Sequence, residues 1–309
     1  MKIDFKFLMG CALTFLSVCA AAAGRGAAAA HPPTMAEVLA ASTPSDWRPL
    51  DPQNTLYLQL PGGRVVIELS PRYAPLHVAN IKTLARAGYF DGLSILRVQD
   101  DYVTQWGDAD NRHPIPPGIG KTAPEFDSPL VSSMPFTRLP DGDVYAPEVG
   151  FSEGLPVARA PLQHRTWLAH CYGMVGVGRD IDADSGSGAE MYVIIGHAPR
   201  HLDRNVALVG RVLQGMELLS SLPRGGAEMG FYTKAQTPLT IESMRVAADL
   251  PLSERSRLEV FRTESPAFQA LIESRRNRRE DFFKLRAGRI DLCNVPIPVR
   301  EPPGVAHSS

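Results

Sequence analysis

Leu93-Ser94-Ile95-Leu96-Arg97-Val98-Gln99-Asp100-Asp101-Tyr102-Val103-Thr104-Gln105-Trp106-Gly107-Asp108 is the stretch on which the fold turns. It reads as two short strands joined by a polar turn at Gln99-Asp100-Asp101, with β-branched and aromatic residues on both sides. Side chains alternate along a strand, so Leu96 and Val98 share one face and Arg97 takes the other. In the second strand Val103 and Gln105 share a face. Where the two faces coincide, an arginine, an amide and an apolar wall meet. A single arginine on a strand is most often a solvated surface residue. What sets Arg97 apart is the order R-x4-[YF]-[VM]-x-Q-x-G-D that it opens.

Upstream, Leu56–Leu60 and Arg64–Leu69 form a hairpin across Pro61-Gly62-Gly63, a strong turn signal. Pro75 to Ala87 then carries Val78, Ile81, Leu84 and Ala85 at the spacing of an amphipathic helix, stopped by Gly88. Downstream, Gly173-Met174-Val175-Gly176-Val177-Gly178-Arg179 has the glycine order G-x-x-G-x-G. That is not a dinucleotide fingerprint, and close-packed backbone explains it better. Strands follow at Glu190–Ile195 and Val206–Val212, with a short helix from Gln214 to Leu222 and a closing strand from Thr240 to Ala247. Ala109 to His170 is rich in Pro and Gly with weak periodicity. It reads as a long inserted loop that covers part of the groove beside Arg97.

The opening run resembles the cyclophilin-type peptidyl-prolyl isomerases, which typically read F-H-R-V-x-x-x-F-x-x-Q-x-G-D there. Arg72-Tyr73-Ala74-Pro75-Leu76-His77-Val78-Ala79-Asn80-Ile81 resembles their A-P-x-x-V-x-N-F motif. Gly188-Ala189-Glu190-Met191-Tyr192-Val193 is similar to G-S-Q-F-F-I, and the run from Leu202-Asp203 through Val209-Gly210 to Gly215-Met216 is the next strongest likeness. The resemblance covers roughly Leu56 to Ser221, with a break in the middle. It implies a mainly β fold, a closed eight-stranded antiparallel barrel with two flanking helices, to which a helical C-terminal extension is added.

The resemblance also implies a chemistry without cofactor or metal. Rotating a prolyl bond means losing amide resonance, against a barrier of about 18–20 kcal/mol. An arginine donating to the twisted amide binds it more tightly than the planar one, which is what catalysis requires. By resemblance Arg97 takes that role and Gln105 orients it, while Tyr102, Val103, Tyr192 and Leu202 wall the proline pocket and Glu190 contacts substrate. The departures are Leu96 where the family usually has His, Glu190 where it has Gln, Val103 where Met is common, His201 where Trp is frequent and Val206 where His is frequent. Glu190 beside Arg97 is expected to form an ion pair with it.

The rest of the chain sets its address. Its 309 residues carry a formal charge of −1 and 44% hydrophobic residues, enough for a core and no sign of a nucleic-acid surface. Lys2 and Lys6 precede an apolar run from Phe7 to Val18, and small residues offer cleavage after Ala23 or Ala30. The run is short for a membrane anchor, so the expectation is a signal peptide, export to the periplasm and no stable membrane insertion after cleavage. The domain reading is signal peptide 1–30, an N-terminal arm 31–53 with a helix at Met35–Ala41 and Trp47 as anchor, a barrel domain 54–248 with insertion 109–170, and an extension 249–309 with a helix from Pro266 to about Lys284. Cys11 and Cys19 leave with the signal. Cys171 and Cys293 then pair in an oxidising compartment, or remain two buried thiols.

Other constellations are weaker. No G-x-S-x-G surrounds Ser185 or Ser187, which excludes a nucleophile elbow. Pro199 breaks the helix that His197 and His201 would need as a metal pair, and Asp180, Asp182 and Asp184 lack the spacing of a calcium loop. Acidic Glu273, Glu280 and Asp281 flank Arg275-Arg276-Asn277-Arg278-Arg279, as on a solvated helix face. The expected partners are proline-containing segments of unfolded or exported proteins. The alternatives are a cyclophilin-like binding or chaperone module with weak or no isomerase turnover and an unrelated barrel hydrolase using carboxylates such as Glu125 and Asp127.

Overall fold

The computed structural model describes residues 32–108 and 112–303, so the expected signal segment lies outside the described residues. Eight strands form one antiparallel sheet in the order Ser243–Val246, Thr55–Leu60, Gly63–Leu69, Leu208–Gln214, Met174–Val177, Met191–Ile194, Val103–Gly107, Ser94–Val98. The sheet is curled but open, which corrects the expected closed barrel. Its two end strands do not pair. The gap is spanned by the chain ahead of Ser243, through single bonds such as Ile95 N–H to Leu239 O (2.9 Å) and Ile241 N–H to Leu93 O (2.7 Å). Pro238 lies in that chain and has no N–H to give, so a continuous ladder is interrupted there.

Alternation along the central strands buries both faces. Met191 and Val193 join Ile67, Ile95, Trp106 and Val175 in a core against the helix Pro75–Arg86, which starts with its proline in the first turn and ends before Gly88 at φ 69°. Tyr192 and Ile194 point the opposite way, with Val103 and Leu208, into a second core.

That second core is roofed by the insertion, whose described part is not a loop. Ser128–Pro129, Arg165–Leu168, Leu155–Ala160, Glu148–Ser152 and Thr137–Leu139 form a five-stranded antiparallel sheet in that order. Its central hairpin turns at Glu153-Gly154, both at positive φ (52° and 83°), as a two-residue turn matched to strand twist requires. Prolines and glycines mask Val149, Phe151, Leu155 and Val157, which are all buried.

The arm and the extension complete this layer. Trp47–Pro49 pairs with Glu259–Phe261, which pairs with Val299–Arg300, and Trp47 meets Phe261 edge to face at 4.7 Å. Met35–Ala41 is helical, as its residues predict. The extension's helix spans Pro266–Arg276, capped by the Ser265 hydroxyl, and is shorter than the expected reach to Lys284. Phe268, Leu271 and Ile272 hold it against the core; Arg278, Arg279, Glu280 and Asp281 continue no apolar stripe, so packing gives the helix nothing further to extend on. Cys171 and Cys293 are joined by a disulfide that closes a sequence separation of 122 residues. No helix of the described residues is long and apolar enough to cross a membrane.

Candidate active site

The register of five neighbouring strands places the site. Arg97 pairs with Gln105, Gln105 with Tyr192, Tyr192 with Gly176, and Gly176 with Leu208. Directly paired residues share a face, so these five form one row across the sheet. A bulge makes the row possible. The ladder shifts between Ile95 and Arg97, leaving Leu96 as the extra residue, half-buried and outside the core. The expected sharing of a face by Leu96 and Val98 is thereby corrected: Ile95 and Val98 are the core residues, and Arg97 faces Gln105.

A depression of about 270 Å³ opens over this row, lined by Arg97, Tyr102, Val103, Gln105, Gly178, Arg179, Tyr192, Leu202 and Val206. It brings together six of the seven residues singled out for substrate. No described residue of the insertion lines it, so the described part of the insertion is not a cover over this depression. Larger clefts lie elsewhere on the surface, one of about 820 Å³ between arm, sheet and extension among interleaved acidic and basic side chains.

Arg97 is held from several sides. Its Nε donates to Met229 O at 2.6 Å, one terminal nitrogen to Gln105 Oε1 at 3.1 Å and the other to Gln99 Oε1. Each terminal nitrogen carries a second N–H. The guanidinium lies 5.4 Å from the rings of both Tyr102 and Phe231, within cation–π reach. Burial lowers its pKa, although an arginine in this state stays charged. The loop carrying Met229 and Phe231 was not legible as part of the site. It is docked by Gly225 N–H to Val98 O (2.9 Å) and Tyr232 N–H to Leu96 O (3.0 Å), and its paired glycines and adjacent aromatics were the signal available.

Glu190 does not meet Arg97 as an ion pair, which corrects that expectation. Gln105 stands between them, accepting from Arg97 and donating to Glu190 Oε1. Glu190 sits behind the depression and does not line it. Burial raises its pKa, partly offset by the bond from Gln105. The glycine run now has a cause. Glu190 and Tyr192 lean over Gly178 and Gly176, where an added Cβ would lie 2.7 Å from Glu190 Oε1 and 2.2 Å from Tyr192 Cζ.

Tyr192 is 6% exposed and meets a polar chain that the sequence did not disclose. Its hydroxyl lies 3.0 Å from Nε2 of His170, whose Nδ1 lies 2.9 Å from Asp203 Oδ1. Arg200 donates to Asp203 (2.7 Å) and to both oxygens of Asp143 (2.8 and 3.1 Å). His170 is fully buried, and burial lowers its pKa; burial likewise raises the Tyr192 phenol. The carboxylate of Asp203 is held below its ordinary range, its hydrogen bond from His170 outweighing burial together with Arg200.

The remaining sequence candidates have structural roles. Glu125 accepts from the Leu76 and His77 amides (both 2.9 Å) at the start of a helix and from His77 Nδ1 (2.6 Å), while Asp127 is bonded by Arg165 and Arg204. Neither faces the depression, which removes the support for a carboxylate hydrolase. Lys121 lies 3.4 Å from Asp182 and 3.1 Å from Asp184.

Comparison with known proteins agrees with this geometry. The family model of cyclophilin-type peptidyl-prolyl cis-trans isomerases matches residues 55–246. A probable peptidyl-prolyl cis-trans isomerase of Brucella suis is 28% identical over 181 residues, 58% of this chain and 77% of the relative. The human peptidyl-prolyl cis-trans isomerase-like 1 is 31% identical over 104 residues, 32% of this chain and 56% of the relative. The crystal structure of AquaCyp293, a cyclophilin from Hirschia baltica, superposes with a TM-score of 0.69 at 26% identity, covering 87% of this chain and 97% of that one. That likeness extends beyond residues 55–246, into the arm or the extension.

Proposed function

We propose a specific reaction for this chain, which belongs to the cyclophilin-type peptidyl-prolyl cis-trans isomerases: rotation of Xaa-Pro bonds in unfolded or loop segments of exported proteins, with Arg97 acting on the twisting amide. The observation that carries this reading is the cross-strand row, which sets the Arg97–Gln105 pair at the rim of a depression walled by Tyr102, Val103, Tyr192 and Leu202. A proline ring enters the apolar part. The remaining N–H groups of Arg97 then point at the carbonyl or nitrogen of the bond being turned. Loss of conjugation exposes the nitrogen lone pair, so a donor there is worth more in the twisted state than in the planar one. No covalent intermediate forms. Gln105 fixes the guanidinium, and Met229 O and Gln99 keep it from swinging out.

Export and a periplasmic address are part of the proposal. They rest on the basic and apolar start of the chain and on a long-range disulfide, a bond that persists in oxidising compartments. The test is a prolyl-peptide isomerisation assay on the processed protein. Catalysed exchange supports the enzyme. Peptide binding without turnover would restore the binding-module alternative, and loss of both would remove the depression as a site.

A further inference from the structure

We infer that His170 is a positioning residue for the proline pocket: held by Asp203, it anchors the hydroxyl of Tyr192 so that the pocket receives the face of the ring and not its polar edge. The inference rests on the isomerase reading of the depression.

The geometry assigns each proton. Asp203 is a carboxylate and can only accept, so the His170–Asp203 bond of 2.9 Å puts the proton on Nδ1. Neutral imidazole then has an accepting Nε2, and the Tyr192 hydroxyl donates to it over 3.0 Å. The backbone N–H of His170 also bonds Asp203 Oδ1 at 2.9 Å, so the ring and its own peptide are held by one oxygen. Behind it, Arg200 joins the other Asp203 oxygen to Asp143 of the insertion.

Tyr192 needs this anchor because of where it lies. It is directly opposite Gly176, and the missing Cβ there leaves space that the phenol fills, with its Cζ and hydroxyl 2.2 and 2.3 Å from where that Cβ would be. A phenol in such a site has its oxygen buried, and an unpartnered buried hydroxyl is costly. Without His170 the hydroxyl would seek the depression, the nearest opening, and would place a polar group where a proline ring should sit. The anchor thus acts on binding of the apolar ring, while Arg97 and Gln105 act on the turning bond.

The test separates this from a merely structural role. His170→Asn keeps a donor toward Asp203 but removes the acceptor at the Nε2 position; His170→Gln restores an acceptor there. For a Xaa-Pro peptide, KM in the Asn variant should rise about fivefold, the scale of one neutral hydrogen bond, with kcat unchanged. The Gln variant should return toward the wild-type KM. Tyr192→Phe leaves no hydroxyl to redirect, so replacing His170 with Asn in that background should no longer raise KM. A fall in Tm with unchanged KM, or fully additive effects, would overturn the inference. Should the Asn variant fail to fold, His170→Gln decides alone, and a KM raised about fivefold in it overturns the assignment. Peptide affinity measured by fluorescence polarisation runs beside the kinetics. If the wild type binds without turnover, the same pattern in Kd keeps the anchor while the isomerase reading fails.

Discussion

The two walls of the depression meet at one pair of opposed residues, Gln105 and Tyr192, and are built on opposite plans. The Arg97 wall stands on an edge strand, beside a loop that returns from residues 223–241, and its polar groups face the place where substrate would lie. The Tyr192 wall stands on a strand buried on both faces, and its polar groups turn away into a closed chain of partners under the inserted sheet. One wall offers charge and the other only shape. Fixed dipoles aimed at the reacting bond and a dry apolar surface beside it are separate requirements, and here different layers of the molecule meet them.

Removing charge from the first wall is expected to have the largest effect. Arg97→Ala should lower kcat/KM about a hundredfold or more, the usual loss for one preorganised charge-stabilising donor. Arg97 is only 8% exposed and serves Met229 O, Gln99 and Gln105, so its loss should also lower stability, by about 1–3 kcal/mol. Peptide affinity should fall far less than turnover. Steady-state kinetics at a temperature well below the variant's Tm checks this, and near-wild-type turnover would remove Arg97 from the mechanism.

The second wall is broken through its support. The disulfide joins the extension to Cys171, the neighbour of His170 in sequence. Replacing both cysteines with serine should cost about 2–4 kcal/mol, less than loop closure alone implies for so long a loop, since unfolded-state structure intervenes. At 25 °C the variant should show a raised KM with kcat retained, the reverse of the Arg97 pattern. An unchanged Tm without reductant would mean that packing alone holds the extension.

The sequence disclosed the two walls unequally for the same reason. Arg97, Gln105, Tyr102 and Val103 lie within one hairpin, where local alternation and spacing carry the information, and even there the bulge at Leu96 was hidden because a single extra residue leaves the composition of the strand unchanged. His170, Asp143 and the Arg200–Asp203 turn come from three separated segments, and no spacing relates those segments. The glycines at 176 and 178 were legible as close packing, but not as the room made for Tyr192 and Glu190. The insertion misled because Pro and Gly recur throughout it, while core residues such as Val149, Phe151, Leu155 and Val157 are split by the turn at Glu153-Gly154, so no long alternating run forms.

Acid should act on the Tyr192 wall before the Arg97 wall. Burial holds the folded pKa of His170 below its unfolded value of about 6.5. Below that value the unfolded chain takes up the proton and the folded chain does not. Stability contributed by neutral His170 is therefore complete above pH 6.5 and is lost as pH falls toward the folded value. Asp203, whose folded pKa is also depressed, extends the loss to lower pH. Tm followed from pH 8 to pH 5 should decline, and His170→Gln should flatten the upper part of that decline. An equally steep decline in the variant would assign it to other groups.

The smallest effect is expected where the two walls touch, at Glu190→Gln. Burial raises the Glu190 pKa, so the folded state binds its proton more tightly than the unfolded state does. By linkage this group's contribution to stability falls as pH rises from its unfolded value of about 4.3 through the raised folded value. A neutral amide removes that penalty, so the variant should melt slightly higher than wild type at pH 7.5, and the difference should vanish toward pH 4. Turnover should change by less than about twofold, because Gln105 needs only an oxygen to donate to and both side chains supply one. Gln105 would then still hold Arg97 through its own oxygen. A larger fall in kcat, with Tm behaving as described, would show that the negative charge reaches Arg97 through Gln105, so that the carboxylate belongs to the charged wall and is more than the acceptor that fixes its amide.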